Sequence, residues 1–286
     1  MRQIFFFFLF ILVIPMFSQE TISGKVLNDQ SKAPLAFVNL GVAGKGVGTV
    51  SSEKGVFKLR LNENIVPTDT VVFSHIGYAT KKIPLSVLIQ GTAVIVLEPL
   101  PTQLKGVVVK YKKPIAKKLG RKGKGLGLMH QNFYSYYEKD IDDRLSKEMG
   151  VRIPVKRDCH VEALNFNITS NQFKSVTFRM NVYAIEGKRP GKLLNTRDIV
   201  FQIKDGFLGW YKVDLSPFDI FLEKEQKEVA VTIQWLKSEK QDENSKYFAI
   251  STKLATAKHF FYREKTMDEW VSRKSKPSFY IDVVYR

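Results

Sequence analysis

At 286 residues the chain has room for two domains of ordinary size, at roughly 100–200 residues each. A composition of 44% hydrophobic, 12% aromatic and 26% charged residues supports a sizeable core and excludes wholesale disorder. The 45 basic and 28 acidic side chains leave a formal net charge of +17, which governs attraction to anionic partners and does not dictate the fold.

The first residues read as a targeting segment. Arg2 gives a positive start, Ile4 to Ile14 is unbroken apolar sequence, and Pro15 ends it. Such a run suits a signal peptide over 1–19 and falls short of the ~20 residues that span a bilayer. Cleavage is expected after Ser18, before Gln19 or Glu20. Met16 stands where a small residue is preferred, which leaves an uncleaved anchor as the alternative. With no Cys near that site, a lipoprotein is not expected. No later stretch approaches ~18 apolar residues, so no membrane-spanning helix is expected. The chain is thus expected to be exported, and to be periplasmic or associated with the outer membrane. Cys159 is the one cysteine, which rules out an internal disulfide and predicts a small buried side chain.

Short strands and tight turns follow. Thr21–Val26, Phe37–Val42, Val47–Thr49, Gly55–Leu61, Asp69–Ser74 and Thr92–Leu97 are β-like runs, with Asn28-Asp29-Gln30-Ser31 as a turn. Spacing of 8–12 residues indicates a sandwich. Gly48, Gly55 and Gly77 are expected to supply backbone conformations that a Cβ disfavours, and Phe57, Val71, Phe73 and Tyr78 to fill the space between sheets.

The run Gly24-Lys25-Val26, Pro34 to Leu40, Gly48-Thr49-Val50-Ser51, Gly55-Val56-Phe57 and Ser74-His75-Ile76-Gly77-Tyr78 resembles the carboxypeptidase regulatory-like domain. The resemblance covers about residues 21–98. It implies a seven-stranded transthyretin-like β-sandwich, common at the start of exported proteins of the Bacteroidetes type, including outer-membrane nutrient receptors. The module accompanies some carboxypeptidases and carries none of their catalytic groups. Glu53 departs from the Asp usual in the family, a mild change in a turn. The domain is placed at 20–104.

Residues 105–127 read as a basic linker. Nine cations from Lys105 to Lys124 occur there without an acid, together with Pro114 and several glycines. Val107-Val108-Val109 is compatible with a last strand of the first domain. Either the segment is a solvated connector, or Lys112, Lys113, Lys117, Lys118, Arg121 and Lys122 contact an anionic membrane surface or glycan. Nucleic acid is not an expected partner of an exported chain.

From 128 to 286 the β pattern returns after an ambiguous stretch in which Asp140 to Glu148 fits a short helix. Ser175–Tyr183 alternates with Val176, Phe178, Met180 and Val182 on one face. Val229–Trp235 and Ser278–Tyr285 alternate likewise, and Asp198–Ile203, Tyr247–Ser251 and His259–Tyr262 are further candidates. About eight strands are expected, in a larger antiparallel, jelly-roll-like sandwich. This half resembles the C-terminal regions of uncharacterised exported proteins with the same first module.

No constellation for chemistry emerges. None of His75, His130, His160 and His259 has a Glu three residues later, as an open zinc site of the carboxypeptidase type needs. Cys159-His160-Val161-Glu162 lacks the Pro-Cys-x-x-Cys of zinc deaminases. Asp140-Ile141-Asp142-Asp143 lacks the Gly and Glu of a calcium loop, with Leu145 and Val151 in their places. No cofactor is expected. Trp235 sits in an apolar register, whereas Trp210 and Trp270 stay open between core and surface. A non-catalytic envelope binding or scaffolding protein, accessory to an outer-membrane transport or surface assembly, is the expectation, with an envelope protein or glycan as partner. An envelope hydrolase with scattered catalytic residues is the alternative.

Overall fold

A computed structural model describes residues 20–101, 114–125 and 127–285. Within them the chain is almost entirely β. The first domain has seven strands: β1 (Thr21–Asn28), β2 (Asn39–Val42), β3 (Val47–Val50), β4 (Val56–Arg60), β5 (Thr70–Ser74), β6 (Lys81–Pro84) and β7 (Ala93–Leu97). They form a three-stranded sheet ordered β4-β1-β7 and a four-stranded sheet ordered β3-β2-β5-β6. Alternation in the sequence explains the packing. Ile22, Val26, Phe57, Leu59, Val71 and Phe73 point inward and are buried together. Phe57 and Phe73 meet edge to face across the layers, with ring centroids 5.6 Å apart. Tyr78 packs at the rim of that core, with its hydroxyl bonded by Asn28 Nδ2 at 2.9 Å.

The second domain begins inside the segment expected to be linker. Ile115–Gly120 is a strand, β8, and pairs antiparallel with the last strand of the chain. There follow β9 (His130–Asn132), β10 (Glu148–Pro154), β11 (Cys159–Asn171), β12 (Phe173–Glu186), β13 (Arg189–Leu193), β14 (Ile199–Lys204) and β15 (Gly209–Asp214). The series ends with β16 (Ile220–Leu222), β17 (Glu228–Lys240), β18 (Phe248–Ser251), β19 (Phe260–Arg263), β20 (Val271–Arg273) and β21 (Phe279–Tyr285). One sheet runs β13-β12-β17-β10-β19-β20, with β14 also on β12; the other runs β8-β21-β11-β18-β9, with β15 and β16 also on β11. The two pack face to face over Phe133, Phe166, Phe178, Trp235, Phe248 and Ile281.

Thirteen described strands, β9 to β21, thus stand where about eight were expected, besides β8 in the expected linker. The expected helix from Asp140 is a single 3₁₀ turn, Ile141–Arg144, and Glu148 already opens β10. The most instructive miss is β11. A register shift between Val161 and Ala163 breaks its alternation midway, so Val161 and Leu164 both reach the core across an odd spacing.

The first domain docks on the outer face of the β12–β17 pair, which explains a second departure from the sequence pattern. Val176, Phe178, Met180 and Val182 do share the core-facing side of β12, yet Thr177, Arg179 and Asn181 on the other side are buried too. Arg179 donates to the Phe37 carbonyl at 2.9 Å and Gln234 to Asn39 Oδ1 at 2.9 Å, both across the domain boundary. Phe37 itself adopts the left-handed conformation, with φ 54°, and packs beside Val50 against Leu236. That conformation costs a bulky residue on the order of 1–3 kcal/mol and persists because the interface fixes both its ring and its carbonyl.

Candidate functional site

The prominent concavity lies where the two domains meet, a cleft of about 560 Å³. Such a volume falls within the ~300–1,000 Å³ of ordinary ligand sites. One wall is the first domain from Gly46 to Glu53 and from Val56 to Asn62; the other is Tyr137, Asp143, Leu145, Leu236, Ser238 and Lys265.

The first wall consists of two strand edges. Among the described residues β3 pairs only with β2 and β4 only with β1, so each has an open side. The ends of the gap are pinned. At one end Ser52 N donates to Val56 O at 2.7 Å, and at the other Asn62 Nδ2 donates to Lys45 O at 2.8 Å. Hydrogen-bonded pairs alternate along an antiparallel ladder. Ser51 N donates to Val38 O, one step beyond the Asn39–Val50 pair, so Thr49 is tied to Leu40 while the peptide groups of Gly48 and Val50 turn to the open edge. On β4 the bonds Leu61 N to Glu20 O and Val26 N to Gly55 O set the same phase, leaving Lys58 and Arg60 open, while outward-facing Val56 is taken by Ser52, whose Oγ accepts from Val56 N at 3.2 Å. Between these edges the lining is apolar at Phe37, Val47, Val50, Phe57 and Leu61.

Charge at the rim is mostly paired. Arg60 reaches Asp140 at 2.6 Å and Asp143 at 2.9 Å across the domain boundary. The acidic cluster at 140–143 therefore serves as an interdomain clamp. Lys237 meets Glu53 at 2.8 Å across the same boundary. Lys265 donates to the Asp143 carbonyl. Burial pulls the Lys265 ammonium below its ordinary value, against the pull of Asp143 and neighbouring carboxylates. Burial opposes ionisation of Asp143, but the backbone amides of Lys139 and Asp140, with Lys265 and Arg60, hold it below the usual carboxylate range. Burial and the Glu264 charge push the Tyr137 phenol up to about 12, against its bond with Ser135, so it stays protonated at neutral pH.

Below the cleft Arg179 grips Asp198 with two bonds, at 2.6 and 2.8 Å, while His75 Nε2 lies 3.4 Å from the same carboxylate. Burial would raise this carboxyl; the Arg179 and His75 contacts win and hold it far below its ordinary value. Glu148, fully buried, is held by Arg263 at 2.6 Å, Asn181 at 2.8 Å, Tyr183 at 3.0 Å and Thr232. Trp270 covers this group, 4.6 Å from the Arg263 guanidinium, which makes it a structural tryptophan. Trp210 is half-buried and packs edge-on against Tyr280.

The histidines are scattered. His75 is at the interface, His130 bonds Thr169, His160 faces Asp219 at 3.0 Å, and His259 follows the 252–258 loop. Among the described residues no three His, Cys, Asp or Glu converge as metal ligands. Cys159 is buried, which pushes its thiol up to about 11. No helix among the described residues is long and apolar enough to cross a membrane.

Four of the six residues expected to contact an anionic surface are described, and one of those four is buried. Lys112 and Lys113 lie outside the described residues. Lys117 and Lys118 are exposed on β8, where Lys118 sits 5.1 Å over the Tyr280 ring and 3.9 Å from Asp282. Arg121 is only 9% exposed and donates to the Lys276 carbonyl at 3.0 Å, a structural role; Lys122 is exposed. The cleft was not visible in the sequence, because its walls come from segments about 75 to 220 residues apart.

These features define a β-sandwich module docked on a second sandwich. Residues 22–109 match the family model for the CarboxypepD_reg-like domain, so the first sandwich is a domain of that family, which is a non-catalytic module. The second sandwich lies outside that match. No curated protein matches the chain. Among solved structures, a chain of the infectious bursal disease virus Gx strain structure is similar at 11% identity and a TM-score of 0.28. The match covers 93% of this chain and 56% of that one, little more than half its length.

Proposed function

We propose that the protein is an exported, non-catalytic binding or scaffolding protein of the cell envelope, and that its interdomain cleft takes an extended peptide segment of an envelope partner. The observation that supports this is the pair of open strand edges, β3 and β4, on one apolar cleft. An extended segment satisfies open peptide groups by strand addition, and its alternate side chains find the pocket between the edges. Open edges are otherwise an aggregation hazard, and here the second domain shields them from other sheets. The partner belongs to an outer-membrane transport or surface assembly, in keeping with the apolar Ile4–Ile14 run.

A photo-crosslinker placed at Ser238, on the second wall, tests this in whole envelopes. The expected adduct is one defined segment of an envelope protein, lost when Val56→Arg crowds the β4 edge and regained as a complex with the synthetic segment. Turnover of a captured peptide or glycan, abolished by a cleft substitution, would replace the proposal with an envelope hydrolase.

A further inference from the structure

The second sandwich carries, independently of the cleft, a surface that the sequence order conceals. At one end of the β8-β21-β11-β18-β9 sheet, three segments run side by side. Residues 121–125 and 127–129 lie between β8 and β9, 252–258 leave β18 for the other sheet, and 274–278 return from β20 of that sheet to β21. They are stitched by backbone bonds: Thr252 N to Met129 O at 2.9 Å, Lys276 N to Lys253 O at 2.9 Å and Ala255 N to Lys274 O at 3.1 Å. Ser278 Oγ donates to Gly123 O at 2.8 Å, which ties the first segment to the third.

This corner is basic and apolar at once. Lys122 and Lys124 come from the first segment, Lys253 and Lys258 from the second, and Lys274 and Lys276 from the third, next to Arg273 at the end of β20. None has a carboxylate partner among the described residues, and the stretches 114–137, 245–263 and 271–281 contain no acid at all. Amid these cations, Leu128 is 80% exposed and Leu254 is 72% exposed, with Met129 exposed beside them. Arg273 is held by Tyr262, donating to its hydroxyl at 2.9 Å, which leaves the lysines as the cations without a carboxylate or ring partner among the described residues. Lone exposed leucines need no explanation, but two on adjacent segments inside such a lysine cluster do. The local potential also reaches His259, whose imidazolium is disfavoured first by burial and then by Lys276 and Arg152.

We infer that this corner docks on an anionic phospholipid surface, its lysines meeting headgroup phosphates while Leu128 and Leu254 enter the interface. An anionic surface matches the charge, and a lipid interface gives the two leucines an apolar environment that a soluble polyanion does not. The cations of β8 stand apart from this contact: Lys118 is engaged by Asp282 and Tyr280, and Arg121 is buried.

The test is co-sedimentation of the exported chain, beginning at Gln19, with vesicles of phosphatidylglycerol in phosphatidylcholine and with phosphatidylcholine alone. Binding is expected only to the anionic vesicles and to weaken with salt. Lys253→Gln with Lys274→Gln is expected to weaken it about twenty-fivefold, at roughly fivefold per cation held near an anionic surface. Leu128→Ser with Leu254→Ser is expected to weaken it several-fold while leaving the salt dependence intact. All four side chains are exposed, so unchanged circular dichroism is expected. Binding untouched by the leucine pair and competed equally by a soluble anionic polysaccharide overturns the inference, and so does binding lost on Lys117→Gln with Lys118→Gln alone.

Discussion

Removing Arg179 should uncouple the two domains. Its guanidinium is 1% exposed and makes four contacts: two with Asp198, one with the Phe37 carbonyl and one with Gln234 Oε1 at 3.3 Å. Arg179→Met keeps the aliphatic stem and deletes the donors. Breaking a buried ion pair from one side costs about 3–5 kcal/mol. Asp198 is 23% exposed, so water recovers part of that loss and the lower end, about 3 kcal/mol, applies. An orphaned Phe37 carbonyl adds on the order of 1 kcal/mol. Because the contacts bridge domains, the loss should split unfolding in urea into two transitions, the first sandwich melting earlier. The double variant Arg179→Met with Asp198→Leu should regain part of the loss, since no unpaired carboxylate remains. A change below about 1 kcal/mol with one transition retained would refute the coupling.

Three further outcomes follow from the same packing. Phe57→Ala or Phe73→Ala, both in the first core, should each cost roughly 3–5 kcal/mol in chemical denaturation; near-zero values at both would put the strand register off by one residue. Gly48→Ala should loosen the interface, because a Cβ there would lie 2.8 Å from the Thr266 carbonyl; an unchanged fluorescence distance between labels at Lys54 and Lys240 would contradict this. The Asp198 carboxyl is depressed in the folded state, so its stabilisation is present above the ordinary carboxylate value near ~3.9 and is lost as pH falls below it. Asp198→Asn should flatten that acid limb in urea titrations between neutral pH and pH ~2.

Much of the fold was legible because both sandwiches bury alternate residues. Phe57 and Phe73 in the first domain, and Val176 to Val182 in the second, announce their faces by period two. What escaped has physical causes. The bulge in β11 puts one strand out of phase with itself, and β9, β16 and β20 span only three residues each, too few to show a period. Lys-rich β8 reads as solvated linker because it is an edge strand whose outward residues are charged, a common guard against edge pairing. Thr177, Arg179 and Asn181 obey the alternation yet are buried, because a second domain covers the face that water would otherwise meet. Gly48 has no unusual backbone angle, unlike Gly55 and Gly77 with φ of 72° and 83°; it is glycine because another domain's backbone approaches it. The candidate site was hidden for the same reason, since both its walls and the basic corner are made by tertiary contact.

The cleft's role as a strand-addition site is tested most directly by backbone amide hydrogen exchange of the chain from Gln19 onward, with and without the synthetic segment recovered by crosslinking. Strand addition predicts marked protection at the open-edge amides, Gly48 and Val50 or Lys58 and Arg60, while Thr49, tied to Leu40, and Val56, tied to Ser52, change little. Equal protection of Thr49 and its neighbours, or protection confined to the second domain, would contradict it.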